Sequence, residues 1–309
     1  MRFRTLTEGL SFAEGPVATQ DGKLLCVEVL AGRLTAISPD GETRLVAQLG
    51  KGPNGAAIGL DGRCYVANNG GLSRADLACL AAGKDGDLAT PPAGCVQVVD
   101  LETGSFDTLY DRCKDVPLIA PNDLVFDRAG GFYFTDYGNL RQATPARGRI
   151  YYANPDGSSV RDLGHDLERP NGVGLSPDGK ILYVSETSTG MLWGFPVAAP
   201  GILGDRALIF QDASLAMDSL AVQADGRICV ACPHNDLVVR VSPSGEDERF
   251  TTPAQGPSNI CFGGADMRTA YVTCLQAGVV LIAEWDTPGL RLPHQLGQIS
   301  AALQEQEDD

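Results

Sequence analysis

Residues 169–186 read RPNGVGLSPDGKILYVSE, and this stretch decides the fold. A short run of small and apolar residues follows Asn171, a Pro-Asp-Gly turn interrupts it, and a second alternating run ends at Glu186. Two such runs joined by an Asp-Gly turn are typical of a β-hairpin. The hairpin raises one question, because Asn171 places a polar amide at the head of a strand that otherwise looks buried.

The same phrase occurs six times along the chain. Each copy has a polar leading residue, an alternating run, a turn rich in Asp and Gly, and a second alternating run. The leading residues are Glu14, Asn54, Asn122, Asn171, Asp218 and Ser258, with successive separations of 40, 68, 49, 47 and 40 residues. A further strand pair follows each hairpin, so each unit has the size of a propeller blade. We predict an all-β protein, a six-bladed β-propeller with four-stranded blades around a central channel, with residues 1–309 forming a single domain.

Three segments fall outside the repeat. The N-terminal RFRTLTEG is expected to add a strand to the last blade beside GVVLIAEW, residues 278–285, and so to close the ring. Residues 72–95 interrupt the second unit, and we predict that this inserted loop lies at the channel mouth as a lid. Residues 300–309 read as an acidic surface tail.

The composition excludes some classes of partner. The formal net charge of −15 argues against nucleic acid, because such a surface repels phosphates. The N-terminus has no apolar leader and no window is long and apolar enough to span a membrane, so we expect a cytoplasmic protein with a small-molecule partner. Cys229 and Cys232 form a CxxC motif within a strand-like run. Residues three apart on a strand point to opposite faces, which favours reduced core cysteines over a metal or dithiol site.

The propeller geometry brings the six leading residues together, because the first strand of every blade lines the channel. The second strands end near the same place with an outer ring of Glu28, Asn68, Asp136, Glu186, Cys232 and Cys274. Carboxylates held close together repel, and inward-facing amides need partners. One divalent cation answers both needs. An oxygen-only ring favours Ca²⁺, with Zn²⁺, Mg²⁺ and Mn²⁺ as further candidates. Any one of these residues could instead cap a strand; the metal hypothesis applies to four together: Glu14, Asn122, Asn171 and Asp218.

Several phrases resemble one known family in their order along the chain. They include FAEGPV at Phe12, PNDLVFD at Pro121, RPNGVGLSPDG at Arg169 and EWDTPGL at Glu284. The chain resembles the senescence marker protein/gluconolactonase family, which includes regucalcin and bacterial sugar-acid lactonases, and it is also similar to drug-responsive lactonases. The resemblance implies a six-bladed propeller that binds a divalent metal, usually calcium.

The resemblance also implies roles for individual residues. It matches Glu14, Asn171 and Asp218 to three core metal ligands, and Asn122 to an asparagine that contacts substrate or supplies a fourth ligand. Ala120 stands where regucalcin-like members carry an arginine that grips the sugar, so the particular lactone stays open.

The predicted chemistry is the hydrolysis of a lactone. Asp218 is the candidate general base, since a carboxylate beside an open metal position can take a proton from the attacking water. The candidate substrate-binding residues are Asn122, Asp136, Glu186 and His234. Asn54 and Glu28 are expected to support the ligands from behind. His165 and His294 are isolated in the sequence.

Three other functions remain open from the sequence. The same metal site could hydrolyse a phosphotriester. The stretch around Asn171 also looks like strictosidine-synthase-like propellers, which rely on a carboxylate rather than a metal. A non-catalytic propeller could use its face to bind a protein, and fold alone does not exclude this.

Overall fold

The computed structural model describes residues 1–71, 93–138 and 148–296. Most of the insertion at 72–95 lies outside the described residues, as does the acidic tail at 300–309, so the lid and the tail stay predictions. Within the described parts almost all regular structure is β. One helical turn, residues 293–296, follows the last strand.

Six sheets of at least four strands form the six blades, and the prediction of a six-bladed propeller is confirmed. Blade 1 contains β2 (Ala13–Ala18), β3 (Leu24–Glu28), β4 (Arg33–Ile37) and β5 (Thr43–Gln48). Blade 2 contains β6 (Pro53–Ile58), β7 (Cys64–Asn68), β8 (Cys95–Val99) and β9 (Phe106–Tyr110). Blade 3 contains β12 (Pro121–Phe126), β13 (Phe132–Asp136), β14 (Arg149–Ala153) and β15 (Val160–Asp162).

The second half of the ring follows the same plan. Blade 4 contains β16 (Pro170–Leu175), β17 (Ile181–Glu186), β18 (Met191–Ala199) and β20 (Ala207–Gln211), with β19 (Ile202–Leu203) as a short fifth strand on β18. Blade 5 contains β21 (Leu220–Val222), β22 (Ile228–Cys232), β23 (Leu237–Val241) and β24 (Asp247–Thr251). Blade 6 contains β25 (Pro257–Gly263), β26 (Thr269–Cys274), β27 (Val279–Glu284) and β1 (Arg4–Thr7). A small hairpin, β10 (Arg112–Cys113) with β11 (Val116–Pro117), connects blades 2 and 3.

The ring closes as the sequence predicts. Strand β1 pairs antiparallel with β27, with Arg4 opposite Ile282. The last blade is therefore built from both ends of the propeller sequence. This pairing covers the outer edge of β27, which would otherwise present unpaired backbone groups.

In the described parts of the chain the core consists of six apolar clusters, one between each pair of neighbouring blades. Strand β7 shows how the alternating pattern builds them. Cys64 and Val66 pack toward blade 1, whereas Tyr65 and Ala67 pack toward blade 3. Because both faces of a blade are buried, the second strands contain few exposed side chains. The CxxC motif obeys the same rule, with Cys229 facing blade 6 and Cys232 facing blade 4.

The inner strands share an irregularity near their first residues. The pairing register shifts at the start of the first strand in five blades, for example between Glu14 and Val17 in blade 1 and between Pro170 and Val173 in blade 4. A bulge of this kind puts one extra residue into a strand and redirects its side chains. The bulges allow two consecutive residues of an inner strand to face the channel or the neighbouring inner strand.

The eight described cysteines are free thiols, and seven of them are buried. Among the described residues no helix is long and apolar enough to cross a membrane.

Candidate functional site

The inner strands begin at one end of the channel, which we call the mouth and define by Glu14, Asn122, Asn171 and Asp218. Glu14 is buried there, and its Oε2 accepts hydrogen bonds from the Gly15 amide at 2.9 Å and from Asn259 Nδ2 at 3.2 Å. Burial raises the pKa of Glu14 above its usual range, and those two donors together with the Ser258 hydroxyl only partly oppose the rise. Gly15 adopts a φ of +50°, and a Cβ there would lie 2.7 Å from the carbonyl oxygen of Asn54. Glycine is thus required where the first two inner strands touch.

Asn171, the residue that raised the opening question, is 4% exposed at the head of β16. Its Nδ2 donates to Thr187 Oγ1 at 3.1 Å, and its Oδ1 accepts from Ser219 Oγ at 3.3 Å. The amide is therefore oriented by two neighbours, one of which, Ser219, directly follows Asp218. This orientation leaves the oxygen with further capacity to accept or to coordinate.

Asp218 lies two residues before β21 and is half-buried. Its amide donates to the Ala231 carbonyl at 2.8 Å, which continues the hairpin pairing beyond the strand proper. Burial raises the pKa of Asp218 well above its usual range, and the nearby charge of Glu14 raises it further. The two carboxyl groups thus lie close enough to repel, as the propeller geometry predicts.

Asn122 supplies the clearest sign of a missing partner. Its side chain is 7% exposed, and its buried Oδ1 has no hydrogen-bond donor among the described residues. Buried polar atoms are nearly always partnered, so such an oxygen points to a ligand or an ion. The described residues contain no group of three or more His, Cys, Asp or Glu at metal-binding distances. A cation at the mouth would therefore depend on the amide oxygens of Asn122 and Asn171 as well as on the two carboxylates. This mixed oxygen set fits a hard cation.

Asp123 is a buried carboxyl group that sequence reasoning missed as a site residue. It is 6% exposed, and its Oδ1 accepts from the Leu124 amide at 2.9 Å. Burial raises the pKa of Asp123 to about 7, and the charge of Glu14 adds to the rise. The missed signal is the residue after each leading residue. Two of those positions hold side chains in contact with the predicted ligands, Ser219 with Asn171 and Asn259 with Glu14.

The carboxylates and amides of the outer ring are engaged with the chain that enters each inner strand. Glu28 accepts from the Ser11 amide, Asn68 from the Gly52 amide, and Glu186 from the Glu168 amide. Asp136 accepts from the amides of Ile119, Ala120 and Gly138, each at 2.8–3.0 Å. In four blades, therefore, the last residue of the second strand has the same role: its side chain accepts hydrogen bonds from the loop that leads into the inner strand, which we call the entry loop.

The outer-ring contacts bear on three predicted roles. Glu28 also forms an ion pair with Arg33, with Nε 2.7 Å from Oε1. Desolvation would raise the pKa of Glu28, but the hydrogen bonds from Arg33, Thr35 and the Ser11 amide outweigh it and lower that pKa. The proposed substrate contacts of Asp136 and Glu186, and the supporting role of Glu28, stay predictions. In each of these three residues, the carboxylate oxygens that would play the predicted role already accept hydrogen bonds from the chain.

The remaining predicted residues are Asn54 and His234. Asn54 is half-buried at the head of β6, and His234 is exposed in the turn between β22 and β23. The sequence did not single out Tyr137 or Arg169. Burial raises the pKa of Tyr137; the Arg169 guanidinium and the Thr187 hydroxyl oppose that rise, and the charge of Asp218 adds to it. Tyr137 is therefore within electrostatic reach of a candidate ligand. Arg169 has a φ of +54°, a strained conformation for a non-glycine residue and one that is enriched at functional sites.

Comparison with known proteins identifies the family. The family model described as SMP-30/Gluconolactonase/LRE-like region matches residues 12–276, and the chain belongs to this family. The match runs from the start of β2 to just beyond β26. The resemblance noted in the sequence is thereby confirmed.

Curated relatives include two enzymes. The chain is 29% identical over 233 residues to lactonase drp35 of Staphylococcus haemolyticus, an alignment that covers 72% of this chain and 64% of that protein. The chain thus matches slightly less than two thirds of that relative's length. It is also 27% identical over 292 residues to a gluconolactonase of Zymomonas mobilis, which covers 84% of this chain and 75% of that protein.

Solved structures share the fold. The calcium-binding protein regucalcin of Agrobacterium tumefaciens superposes with a TM-score of 0.77 at 21% identity, covering 95% of this chain and 97% of that one. A gluconolactonase of Xanthomonas campestris gives a TM-score of 0.75 at 22% identity, covering 93% and 89% of the two chains. These similarities establish the architecture of the propeller.

Proposed function

We propose that this protein is a lactone-hydrolysing enzyme that uses one divalent cation held at the channel mouth. Ca²⁺ is the leading candidate for this cation. The observation that carries the metal is Asn122 Oδ1, a buried acceptor for which the described residues offer no donor, in a ring of oxygen side chains. The activity is supported by the family and by relatives named lactonase and gluconolactonase. Glu14, Asn171 and Asp218 would hold the cation, with Asn122 as a fourth ligand or a substrate contact.

The bound cation would polarise the lactone carbonyl and stabilise negative charge on its oxygen. Asp218 would accept the proton of the attacking water. Its half-buried position and its repulsion from Glu14 both favour a carboxylate with raised proton affinity. Asn122 would hold the substrate oxygen through its side-chain amide. Asn171 would keep its own oxygen aimed at the mouth through the contacts with Thr187 and Ser219.

Arg169 and Tyr137 would contact the rest of the substrate. The guanidinium of Arg169 brings a positive charge next to Tyr137 and Thr187 on the blade 4 side of the mouth. This position differs from that of Ala120, where regucalcin-like members carry their arginine. The positive charge of the Arg169 guanidinium at this position would favour lactones with oxygen-rich or anionic substituents over purely alkyl ones. The cytoplasmic location stays a prediction.

Metal analysis followed by a lactone panel tests the proposal. The purified full chain should contain about one divalent cation per molecule. It should release acid from at least one lactone in a pH-stat assay, with sugar lactones and alkyl lactones compared side by side. Chelator-treated protein should lose the activity and regain it with added Ca²⁺. A phosphotriester substrate serves as the alternative arm, and turnover of that substrate alone would replace lactonase with phosphotriesterase activity.

A further inference from the structure

At one position in the second strand of each blade, three blades carry a hydroxyl residue and the other three carry an apolar residue. The penultimate residues of these strands are Val27, Ala67, Thr135, Ser185, Ala231 and Thr273. Three have hydroxyl groups, in blades 3, 4 and 6, and each of the three is completely buried. The blades that follow these three in the ring are 4, 5 and 1, which carry Asn171, Asp218 and Glu14. The apolar positions precede the blades that carry Asn54, Asn122 and Ser258.

The hydroxyls of blades 3 and 4 connect each blade to the next one. Thr135 Oγ1 donates to the Asn171 carbonyl oxygen at 2.6 Å and accepts from the Asp123 amide at 3.2 Å. Ser185 Oγ donates to the Asp218 carbonyl oxygen at 2.7 Å and accepts from the Gly172 amide at 2.9 Å. Each hydroxyl thus joins the bulged inner strand of its own blade to the backbone of a candidate ligand in the next.

Blade 6 reaches blade 1 by a two-residue version of the same contact. Thr273 Oγ1 lies 3.1 Å from Ser258 Oγ, and Ser258 Oγ donates to the carbonyl oxygen of Ala13 at 3.2 Å. That carbonyl belongs to the peptide that links Ala13 to Glu14. All three candidate ligands are therefore preceded by a buried hydroxyl contact from the neighbouring blade.

The physical need for these contacts follows from the propeller geometry. Neighbouring inner strands belong to different sheets and share no ladder, and a bulge leaves a backbone amide without its ladder partner. A buried backbone group without a partner is costly, and one hydroxyl can satisfy an amide and a carbonyl at once. The peptide that carries a ligand is thereby fixed in position relative to the previous blade, although no sheet hydrogen bond crosses between them.

We infer that Thr135 and Ser185 are positioning residues that set the spacing of Asn171 and Asp218 across the blade boundaries, and that Thr273 with Ser258 does the same for Glu14. This inference rests on the proposed function, because it assigns a role toward the cation that those three residues would hold. The hydroxyls touch neither cation nor substrate. They act through the backbone of the ligand residues, where a displacement of a few tenths of an ångström changes the shape of the oxygen cage.

The test compares Ca²⁺ affinity with stability in matched variants. Thr135→Val and Ser185→Ala remove the bridging hydroxyls, and Thr135→Ser and Ser185→Thr keep them. The control is Ser176→Ala, which removes an equally well-bonded buried hydroxyl from the far end of the blade 4 hairpin, where Ser176 Oγ accepts from the amides of Lys180 and Ile181. Calorimetric titration of chelator-treated full-length protein with Ca²⁺ measures Kd, and thermal unfolding measures stability.

We expect Thr135→Val and Ser185→Ala to raise the Kd for Ca²⁺ by about tenfold, the usual effect of losing one buried hydrogen bond. The hydroxyl-retaining variants should stay within about threefold of the parent protein, and they remain informative if Ser185→Ala does not fold. Ser176→Ala should lose stability while its Kd changes little. If all three hydroxyl-removing variants bind Ca²⁺ alike, the hydroxyls are merely structural and the inference fails. A parent protein that binds no divalent cation would overturn the proposed function and the inference together.

Discussion

The two ends of the channel are built from the same six inner strands, yet they have opposite chemistry. At the mouth the strands begin with carboxylate and amide side chains, and the bulges turn two consecutive residues inward. At the far end the strands finish with apolar residues such as Ile58, Phe126 and Leu175. Between the two ends lies a cavity of about 90 Å³, lined mostly by apolar side chains, with Asp123 and Asn259 among its few polar ones.

The far end is closed by residues that come after the last blade. Leu290 and Leu292 pack against the apolar clusters of the neighbouring blades, and the Leu290 amide donates to the Val222 carbonyl at 2.9 Å. His294 lies beside the Ala18 carbonyl, and Gln295 is buried. The comparison shows that the channel is a site at one end and a core at the other. Substitutions at the mouth should therefore change function while the protein stays folded, and the predictions below compare the two ends on this point.

Asp218→Asn should produce the largest effect. It keeps an oxygen of similar shape but removes the charge and nearly all proton affinity. We expect weaker Ca²⁺ binding, and at saturating Ca²⁺ a fall in kcat of about 10²–10⁴, the usual contribution of a positioned base. Steady-state kinetics on the best lactone of the panel measures this, with circular dichroism to confirm folding.

The matched control is Asp225→Asn, an exposed turn aspartate near the far end of the same blade, where it pairs with Arg227. That variant should keep parental turnover. Near-parental kcat in Asp218→Asn at saturating Ca²⁺ would disprove the base assignment. If the variant also held Ca²⁺ normally, the metal hypothesis itself would have to be given up.

Removal of the cation should have the next largest effect. A ligand that binds only the folded state stabilises it by mass action, by about 2.7 kcal/mol at a hundredfold excess over Kd. For a protein of 309 residues such a change corresponds to a Tm shift of about 4 °C. Thermal unfolding with chelator and with added Ca²⁺ measures it.

The two ends should respond differently to the cation. Asp218→Asn at the mouth should reduce the Tm shift strongly, whereas His294→Gln at the far end should leave it intact. Equal loss of the shift in both variants would mean that the cation binds elsewhere or acts on the whole protein.

Protonation of His294 should have the smallest effect, a loss of stability at acid pH that arises at the far end of the channel. Burial lowers the pKa of His294 to about 4, with the Ala18 carbonyl opposing the change, whereas an unfolded chain has a histidine pKa near its ordinary value of about 6.5. The unfolded state therefore binds more protons between those two values. The associated stability is present above about pH 6.5 and is lost as the pH falls toward 4.

Denaturant unfolding of the parent protein and of His294→Gln is compared at pH 7.5 and pH 5. The buried carboxyl groups at the mouth, whose raised pKa values add stability as the pH falls, are present in both proteins, so the difference between the two proteins isolates the loss due to His294. We expect His294→Gln to change the pH dependence of the unfolding free energy by about 1–2 kcal/mol at pH 5, since the ring is half-buried. His234→Gln, which changes an exposed histidine near the mouth, is the control and should leave it unchanged. An unaltered pH difference in His294→Gln would show that this ring is not held neutral by the far end.

The sequence by itself determined the fold, and it predicted which leading residues gather at the channel mouth. Six copies of one hairpin phrase, with Glu14 and Asn171 among the leading residues, are enough to count the blades and to align the polar positions. The reason is physical, because a period-two pattern buried on both faces admits few other arrangements. The closing strand β1 was also predictable, since residues 278–285 at the other end left an edge to cover.

Only the tertiary structure decided which side chains act together and what each one touches. Asp123 and Asn259 follow leading residues, and period two alone would turn them away from the channel; the bulges bring them into it. The carboxylate of Asp136 is placed by two entry-loop amides, those of Ile119 and Ala120, in contacts across 16–17 residues that no local pattern encodes. Ser185 fixes Asp218 in the next blade from 33 positions away. Such contacts depend on the ring being closed, since only closure sets the distance between the inner strands of neighbouring blades.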